Sequence, residues 1–509
     1  MVCHPPRIRS PGTSRLSRTH MLTSLASRQP RLRRSEPAAA HIPYIPPEIW
    51  EIVIKHACLH DHDPIHTSSE LSFLESPDTQ LASYRSAMRA KLSLAMVSQQ
   101  WNALSRPYLY EFIWIRRAAQ ARLLAHTLSY PSFDQDSNGK FLRRLHIETP
   151  AFERCSPVDL RSILDHAPNL FIFSDHHSVQ RNLLVDDTTD PRCSPEEILK
   201  LVVHPKIRRL SWTNYGDAPF QLRMHPLETN LTTRLEFLEL SVCSPNFSTL
   251  FHGSSPHGGR INMNVCLPAL RALKVSLDND TFAALASWNM PRLTNLSVLS
   301  SDFSYTDAGF AQFFQSHGAK LRQLELGHSS SLIEEHYLTT PRSVLQMQQS
   351  HGTAQALPLA DWCPALRQFI CSADAAWRWQ SPDWIAPHIL LPRHPTVEFI
   401  GIRDIDARLL HDPDLPTDPD FYTPYFPLYE QFCSLLDSDA FPKLKFVRDL
   451  SPLSHEMRMV RPHPRVLEFW TRVVKRCRQC EIWLEDYTGM NVGLRNLKQA
   501  TLSDTDSDW

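Results

Sequence analysis

The chain has 509 residues, too many for one compact core, so several domains or one extended repeat array are expected. With 42% hydrophobic residues it can build a large interior, and 53 basic against 54 acidic groups exclude the overall basic character of a polyanion-binding protein. Thirteen glycines against 40 prolines reverse the usual order, and they leave few places where backbone can cradle a phosphate. No G-x-G-x-x-G occurs, and the phosphate-loop spacing from Gly253 to Gly258 is followed by Gly259-Arg260 in place of Lys-Ser/Thr. Kinase, P-loop and Rossmann readings therefore fall away; H-E-x-x-H and G-x-S-x-G are absent too, which disfavours zincin and serine-hydrolase chemistry without excluding every hydrolase, and no enzyme is expected. Eleven scattered cysteines suit a reducing compartment, cytoplasmic or nuclear. No apolar run reaches the roughly 18 residues of a bilayer span.

Residues 1–40 read as a disordered basic tail: Arg7, Arg9, Arg15 and Arg18 lie among Ser and Pro, and the first acid is Glu36. Pro5, Pro6, Pro11 and Pro30 interrupt any amphipathic presequence helix. Residues 41–115 read as a helical module. Pro46, Pro47 and Glu48 suit a helix start, and Ile45, Ile49, Ile52 and Val53 recur at helical spacing. The polar stretch at about 60–85 has no periodicity and reads as a loop. A second stripe over Lys91–Trp101 puts Leu94, Val97, Ser98 and Trp101 on one face. A third short helix then runs from Leu104 through Tyr110 to a strand at Phe112–Ile115.

The series Pro-Pro-Glu-Ile-x-x-Ile-Val, then Leu-x-Leu-Ala-x-Val-Ser-x-x-Trp-x-x-Leu-x-x-Pro-x-Leu-Tyr, resembles an F-box. That helical module docks the Skp-type adaptor of cullin-RING ubiquitin ligases. The polar insert replaces the family's short inter-helix connection, as in fungal members with expanded loops. The resemblance implies that Pro46, Pro47, Ile49, Ile52, Val53, Leu94, Val97 and Trp101 bind the adaptor and, through it, a cullin. A helix pair buried as a cap would show the same stripes. Exposure separates the two: a docking face stays partly uncovered, and a cap face is covered.

A linker helix is expected over 116–140. From 141 to 485 a short pattern recurs at Leu142-x-x-Leu145-x-Ile147, Ile207-x-x-Leu210-x-Trp212, Leu235-x-x-Leu238-x-Leu240, Leu270-x-x-Leu273-x-Val275, Leu293-x-x-Leu296-x-Val298 and Leu321-x-x-Leu324-x-Leu326. Weaker copies start at Leu170, Leu366, Val397 and Leu444, and a proline stands two residues ahead of seven of the ten starts. Proline cannot donate to a sheet ladder but can precede a strand, so it marks the turn into each strand. The array resembles an irregular leucine-rich-repeat solenoid. The fold class expected is therefore α/β: an N-terminal F-box-like helical module followed by a solenoid with a parallel concave sheet, then a tail over 486–509.

The residue between the two inward apolar positions of each unit should form a row on the sheet's open face: His146, Ser174, Ser211, Glu239, Lys274, Ser297, Glu325, Ile370, Gly401 and Arg448. Its mixed signs argue against nucleic acid and for a protein target. Trp377, Trp379 and Trp384, together with Glu325 and Arg448, are the candidate target-binding residues, since Trp and Arg dominate interface hot spots. Other chemistry reads as structural. His60-Asp61-His62-Asp63 with His66 suits a solvated loop better than a metal site. Cys477-x-x-Cys480 lacks a second pair for zinc, and Asp175-His176-His177-Ser178 suits an exposed turn. No catalytic residue, metal, cofactor or membrane contact is expected. The function expected is a substrate-recruiting subunit of a cullin-RING ligase, with a leucine-rich scaffold unrelated to ubiquitylation as the alternative.

Overall fold

A computed structural model describes residues 45–59, 71–75, 77–129, 137–150, 153–176, 178–179, 190–214, 233–242, 265–276, 282–283, 285–300, 308–328, 358–373, 391–411, 425–460, 463–495 and 497. From Glu48 onward they belong to one unit. Within it, twelve strands form one all-parallel sheet in chain order. They are β1 (Phe112–Ile115), β2 (Arg144–Ile147), β3 (Ile172–Asp175), β4 (Arg209–Asn214), β5 (Phe237–Val242), β6 (Ala272–Ser276), β7 (Asn295–Ser300), β8 (Gln323–His328), β9 (Gln368–Ser372), β10 (Phe399–Arg403), β11 (Phe446–Asp449) and β12 (Trp483–Glu485). Among the described residues there are three helices ahead of the sheet, α1 (Pro47–Leu59), α2 (Pro77–Ala95) and α3 (Gln99–Glu111). Nine more lie between strands: α4 (Ala118–Ser129), α5 (Pro157–Asp165), α6 (Pro195–Val202), α7 (Ala308–His317), α8 (Leu359–Trp362), α9 (Ile405–His411), α10 (Phe426–Leu435), α11 (Pro452–Met459) and α12 (Pro464–Gln479).

Each of the ten expected units carries a strand, and a local reason is visible. In His204-Pro205-Lys206-Ile207, Leu267-Pro268-Ala269-Leu270, Met290-Pro291-Arg292-Leu293, Cys363-Pro364-Ala365-Leu366 and Phe441-Pro442-Lys443-Leu444 the fourth residue's N–H donates to the first residue's carbonyl at 3.0–3.3 Å. That is a β-turn with proline at its second position, where the ring's fixed φ is already correct. The turn's fourth residue, leucine or Ile207, is buried, and the strand follows two residues later.

Register locks the array together. Leu145, Phe173, Leu210, Leu238, Leu273 and Leu296 are successive partners, and the line continues through Leu324, Phe369, Ile400 and Val447 to Leu484. Every one is at most 2% exposed and belongs to one continuous apolar core. A parallel pair needs a crossover connection, and these crossovers cover the face on which that line lies. Each fully buried aliphatic or aromatic side chain is worth about 1.5–3 kcal/mol, so stability is spread along the array.

Several expectations need correcting. Helix α2 begins at Pro77, inside the stretch read as loop to about 85; it lies against α3, Ala87 and Ala95 are buried, and Tyr84 packs on Phe112 and Trp114 of β1. The stripe at 91–101 is not one helix. Helix α2 stops at Ala95, Met96 and Val97 form a turn, and Ser98 caps α3 by accepting the N–H of Trp101 at 3.2 Å. The helix expected from Leu104 is the continuation of α3. Asp175–Ser178 is no exposed turn: Asp175 and Ser178 are buried, the Ser178 N–H donates to Asp175 at 3.0 Å, and the Thr149 N–H donates to Ser178 Oγ at 2.7 Å. Past β12 the chain does not fray at once, since Val492 and Leu497 are buried and Asp486 accepts the N–H groups of Thr488 and Met490.

One titration follows from the packing. His317, at the end of α7, is buried, and its Nδ1 accepts from Lys320 at 2.9 Å. Burial first, and the Lys320 ammonium second, push its pKa from 6.5 down to about 4. A folded-state pKa below the unfolded one contributes stability above pH 6.5 that is lost as pH falls toward 4, worth about 3 kcal/mol in all. Thermal midpoints should therefore fall between pH 6.5 and 4, and His317→Asn should flatten that slope. An unchanged slope in the variant would contradict the assignment.

Candidate functional site

Two surfaces stand out, and the first lies on the helices. Ile54 and Cys58 of α1 are buried, with Lys91 of α2 and Glu111 of α3 close enough to act on the Cys58 thiol, whose pKa burial raises. The opposite side of α1 is open. Ile49, Ile52 and Val53 are about half exposed, and Pro46 and Pro47 are exposed at its start. The turn after α2 adds Met96 at 85% and Val97 at 60% exposure. Trp50 and Trp101 join the two regions, their ring centroids 4.9 Å apart, so the first turn of α1 meets the first turn of α3, next to that turn. The turn itself is fixed. Val97 N–H donates to the Leu94 carbonyl at 3.2 Å, and the Asn102 side chain donates to the Ala95 carbonyl at 3.3 Å. Leu94 and Trp101 are half-buried. Of the eight residues singled out for adaptor docking, six are open and two are the packed base of the patch.

The second surface is the face of the sheet opposite the main core. The expected row appears in register: His146, Ser174, Ser211, Glu239, Lys274 and Ser297 are successive partners, followed by Glu325, Ile370, Gly401 and Arg448. Trp114 extends it at one end and Glu485 at the other. Much of the row is covered. Near β1–β4, His146 sits between the rings of Trp114 (4.1 Å) and His176 (4.7 Å), and burial holds His176 at a pKa of about 4. Glu239 is paired with Lys274 at 2.8 Å, and that ammonium, acting against burial, keeps its carboxyl at about 2.

In the middle of the sheet the cover is the chain's own segment Leu71–Glu75, which precedes α2. Asn295 of β7 donates to the Leu71 carbonyl at 2.7 Å. Gln323 of β8 accepts the Phe73 N–H at 2.9 Å and donates to Ser72 Oγ at 2.9 Å. Arg403 of β10 donates to the Phe73 carbonyl and also pairs with Glu325. Leu71 and Phe73 complete a small apolar cluster with Phe237, Ala272, Ile370 and Leu450, apart from the main core. The sequence held one sign of this segment: Leu71, Phe73 and Leu74 stand close together inside a mostly polar stretch.

Of the candidate target-binding residues, Glu325 is 3% exposed and accepts from Ser297 Oγ at 2.6 Å as well as from Arg403. Arg448 is engaged with Glu485 at 2.6 Å and lies 5.1 Å from the Phe399 ring centroid. Both therefore have charged partners within the chain. Trp377, Trp379 and Trp384 lie outside the described residues, as do His60, His62 and His66. Cys477 is buried, with its thiol pushed up to about 12, and no metal-holding cluster occurs among the described residues. Among these residues, too, no helix is long and apolar enough to cross a membrane. No family model matches the chain, and no curated protein matches it.

Proposed function

We propose that this chain is the substrate-recruiting subunit of a cullin-RING ubiquitin ligase. Helices α1–α3 act as an F-box-like module docking a Skp-type adaptor, and the parallel array acts as an irregular leucine-rich-repeat solenoid that holds a protein target. The observation that carries the reading is the open apolar patch of Ile49, Ile52, Val53, Met96 and Val97, a set of large side chains that a cap would have covered. The fit of the quoted helix pattern to an F-box supplies the identity of the partner. No residue of this chain does chemistry in the reading. It raises the effective concentration of the target beside the conjugating enzyme, so its contribution is geometric.

A second reading, a leucine-rich scaffold outside ubiquitylation, draws on a different contact. Tyr84 of α2 lies edge-on to Phe112 at 4.7 Å and its hydroxyl accepts the Trp114 N–H at 3.3 Å, so the helices also finish the open end of the sheet. Affinity capture of the full chain at endogenous level, read by quantitative mass spectrometry, separates the two. Enrichment of a Skp-type adaptor and a cullin is expected. Capture of other proteins with neither of these would support the scaffold.

A further inference from the structure

We propose that the middle of the sheet's face is a docking groove for an extended segment of a protein partner, one presenting an aliphatic, a hydroxyl-bearing and an aromatic residue in succession, and that Leu71-Ser72-Phe73 occupies this groove as an internal stand-in. The inference does not depend on whether the helices dock an adaptor.

Three features of the seat support it. The first is how the segment is held. Asn295, Gln323 and Arg403 address the Leu71 carbonyl, the Phe73 N–H and the Phe73 carbonyl, which are main-chain groups that any extended peptide offers. Specificity comes from few side chains: Ser72 Oγ accepts from Gln323, and the Phe73 ring centroid lies 6.3 Å from that of Phe237. Main-chain hydrogen bonds combined with pockets for alternate side chains are how extended peptides are recognised.

The second is separability. The cluster of Leu71 and Phe73 with Phe237, Ala272, Ile370 and Leu450 does not belong to the main core, which lies on the sheet's other side. Removing the segment would uncover that cluster and leave the inward line from Leu145 to Leu484 intact. The third is the charge beneath it. Glu325 is paired with Arg403 and bonded to Ser297 Oγ under the segment. Glu325 is buried and Arg403 only partly so; such a pair adds little to stability, since desolvation offsets its attraction, whereas a charged pair in a groove orients a ligand.

A tethered segment competes with a free one at an effective concentration on the order of 1 mM. A free peptide of about 0.1 mM intrinsic affinity would then bind the intact chain roughly tenfold more weakly than a chain whose own segment is released. The probe is a fluorescein-labelled peptide of residues 69–76, Ser-Glu-Leu-Ser-Phe-Leu-Glu-Ser, titrated by fluorescence anisotropy against the full chain and against Leu71→Ala/Phe73→Ala. The variant is expected to keep a cooperative melting transition and to bind the peptide about tenfold more tightly. Adding Gln323→Ala to it should remove that gain, and a peptide with both apolar residues changed to Ala should not bind. A folded variant that binds no better than the intact chain would overturn the proposal. Loss of the cooperative transition in the variant would overturn it as well, by making the segment part of the array's structural core. A dimer that the peptide dissociates would assign the groove to a second copy in place of a foreign partner.

Discussion

Leu273→Asp should abolish cooperative folding of the array and not merely of its own unit. Leu273 is 0% exposed in β6, partnered by Leu238 on one side and Leu296 on the other. The substitution removes the transfer energy of a buried leucine, about 2–3 kcal/mol, and leaves a carboxylate with no cation in a dry interior. Protonation would limit the second cost, yet the total reaches roughly 5 kcal/mol or more against a typical stability of about 5–15 kcal/mol. Leu273→Ala, which only opens a cavity, should cost about 2–5 kcal/mol and keep the transition. Because each strand is held only by its neighbours, damage should spread through β4–β8. Limited proteolysis read by mass spectrometry checks this: cuts on both sides of β6 are expected, and cuts confined to the β6 unit would contradict the nearest-neighbour account.

The second large effect is expected at the far end of the sheet. Asp449 of β11 and Arg458 of α11 form an ion pair at 2.7 Å, with both side chains at most 1% exposed. The guanidinium lies 4.3 Å from the Trp470 ring centroid of α12, and Asp449 also accepts the Ser451 N–H at 3.0 Å. The pair therefore ties β11, α11 and α12 together. Asp449→Ala strands a buried guanidinium and should cost about 3–5 kcal/mol, whereas Asp449→Ala with Arg458→Met should recover most of that loss. Denaturant midpoints of the two variants decide the matter. A double variant no more stable than Asp449→Ala would mean that the pair's partners, and not the stranded charge, set the cost.

How much of this was legible in the sequence follows from what each signal reports. Proline two residues ahead of a leucine triplet is a local, physical signal, because it fixes both a turn and the phase of the strand after it. The ten units and the register of the open-face row could accordingly be read in advance. Strands β2, β5 and β8 lack the proline but keep the triplet, whereas β1 and β12 lack both. Phe112–Ile115 was read as a strand but not as a member of the series, and Trp483–Glu485 was missed behind the bulk of α12. The break at Met96–Val97 was masked by an apolar spacing that happens to continue across it, although Ser98 followed by Trp101 held the cap that makes the break. For the coverage of the open face the sequence offered only the apolar group Leu71, Phe73 and Leu74, with nothing to say where it packs. Contacts such as Phe73 with Gln323 join residues 250 positions apart, and no periodicity reports them.

The same distinction applies to the surfaces. The apolar stripe of α1 was visible as a stripe, yet which half would be buried depended on where α2 and α3 lay. Ile54 and Cys58 turn inward, and Ile49, Ile52 and Val53 do not. Glu325 and Arg448 carried the right chemistry for recognition, but each found a partner within the chain, in Arg403 and Glu485. On a shared sheet face the complement can come from the neighbouring strand, as Glu485 does for Arg448, or from the strand beyond it, as Arg403 of β10 does for Glu325 of β8.

The account stands or falls most directly on the open patch of the helices. Isothermal titration of a purified Skp-type adaptor into the full chain should show binding in the micromolar to nanomolar range, about 8–12 kcal/mol. Ile52→Asp with Val97→Asp places two charges on a surface that is more than half exposed in the free chain, so folding should be unaffected while the interface loses several kcal/mol. The account predicts saturable binding for the intact chain and none detectable for the folded double variant; equal binding by both, or none by the intact chain, would contradict it.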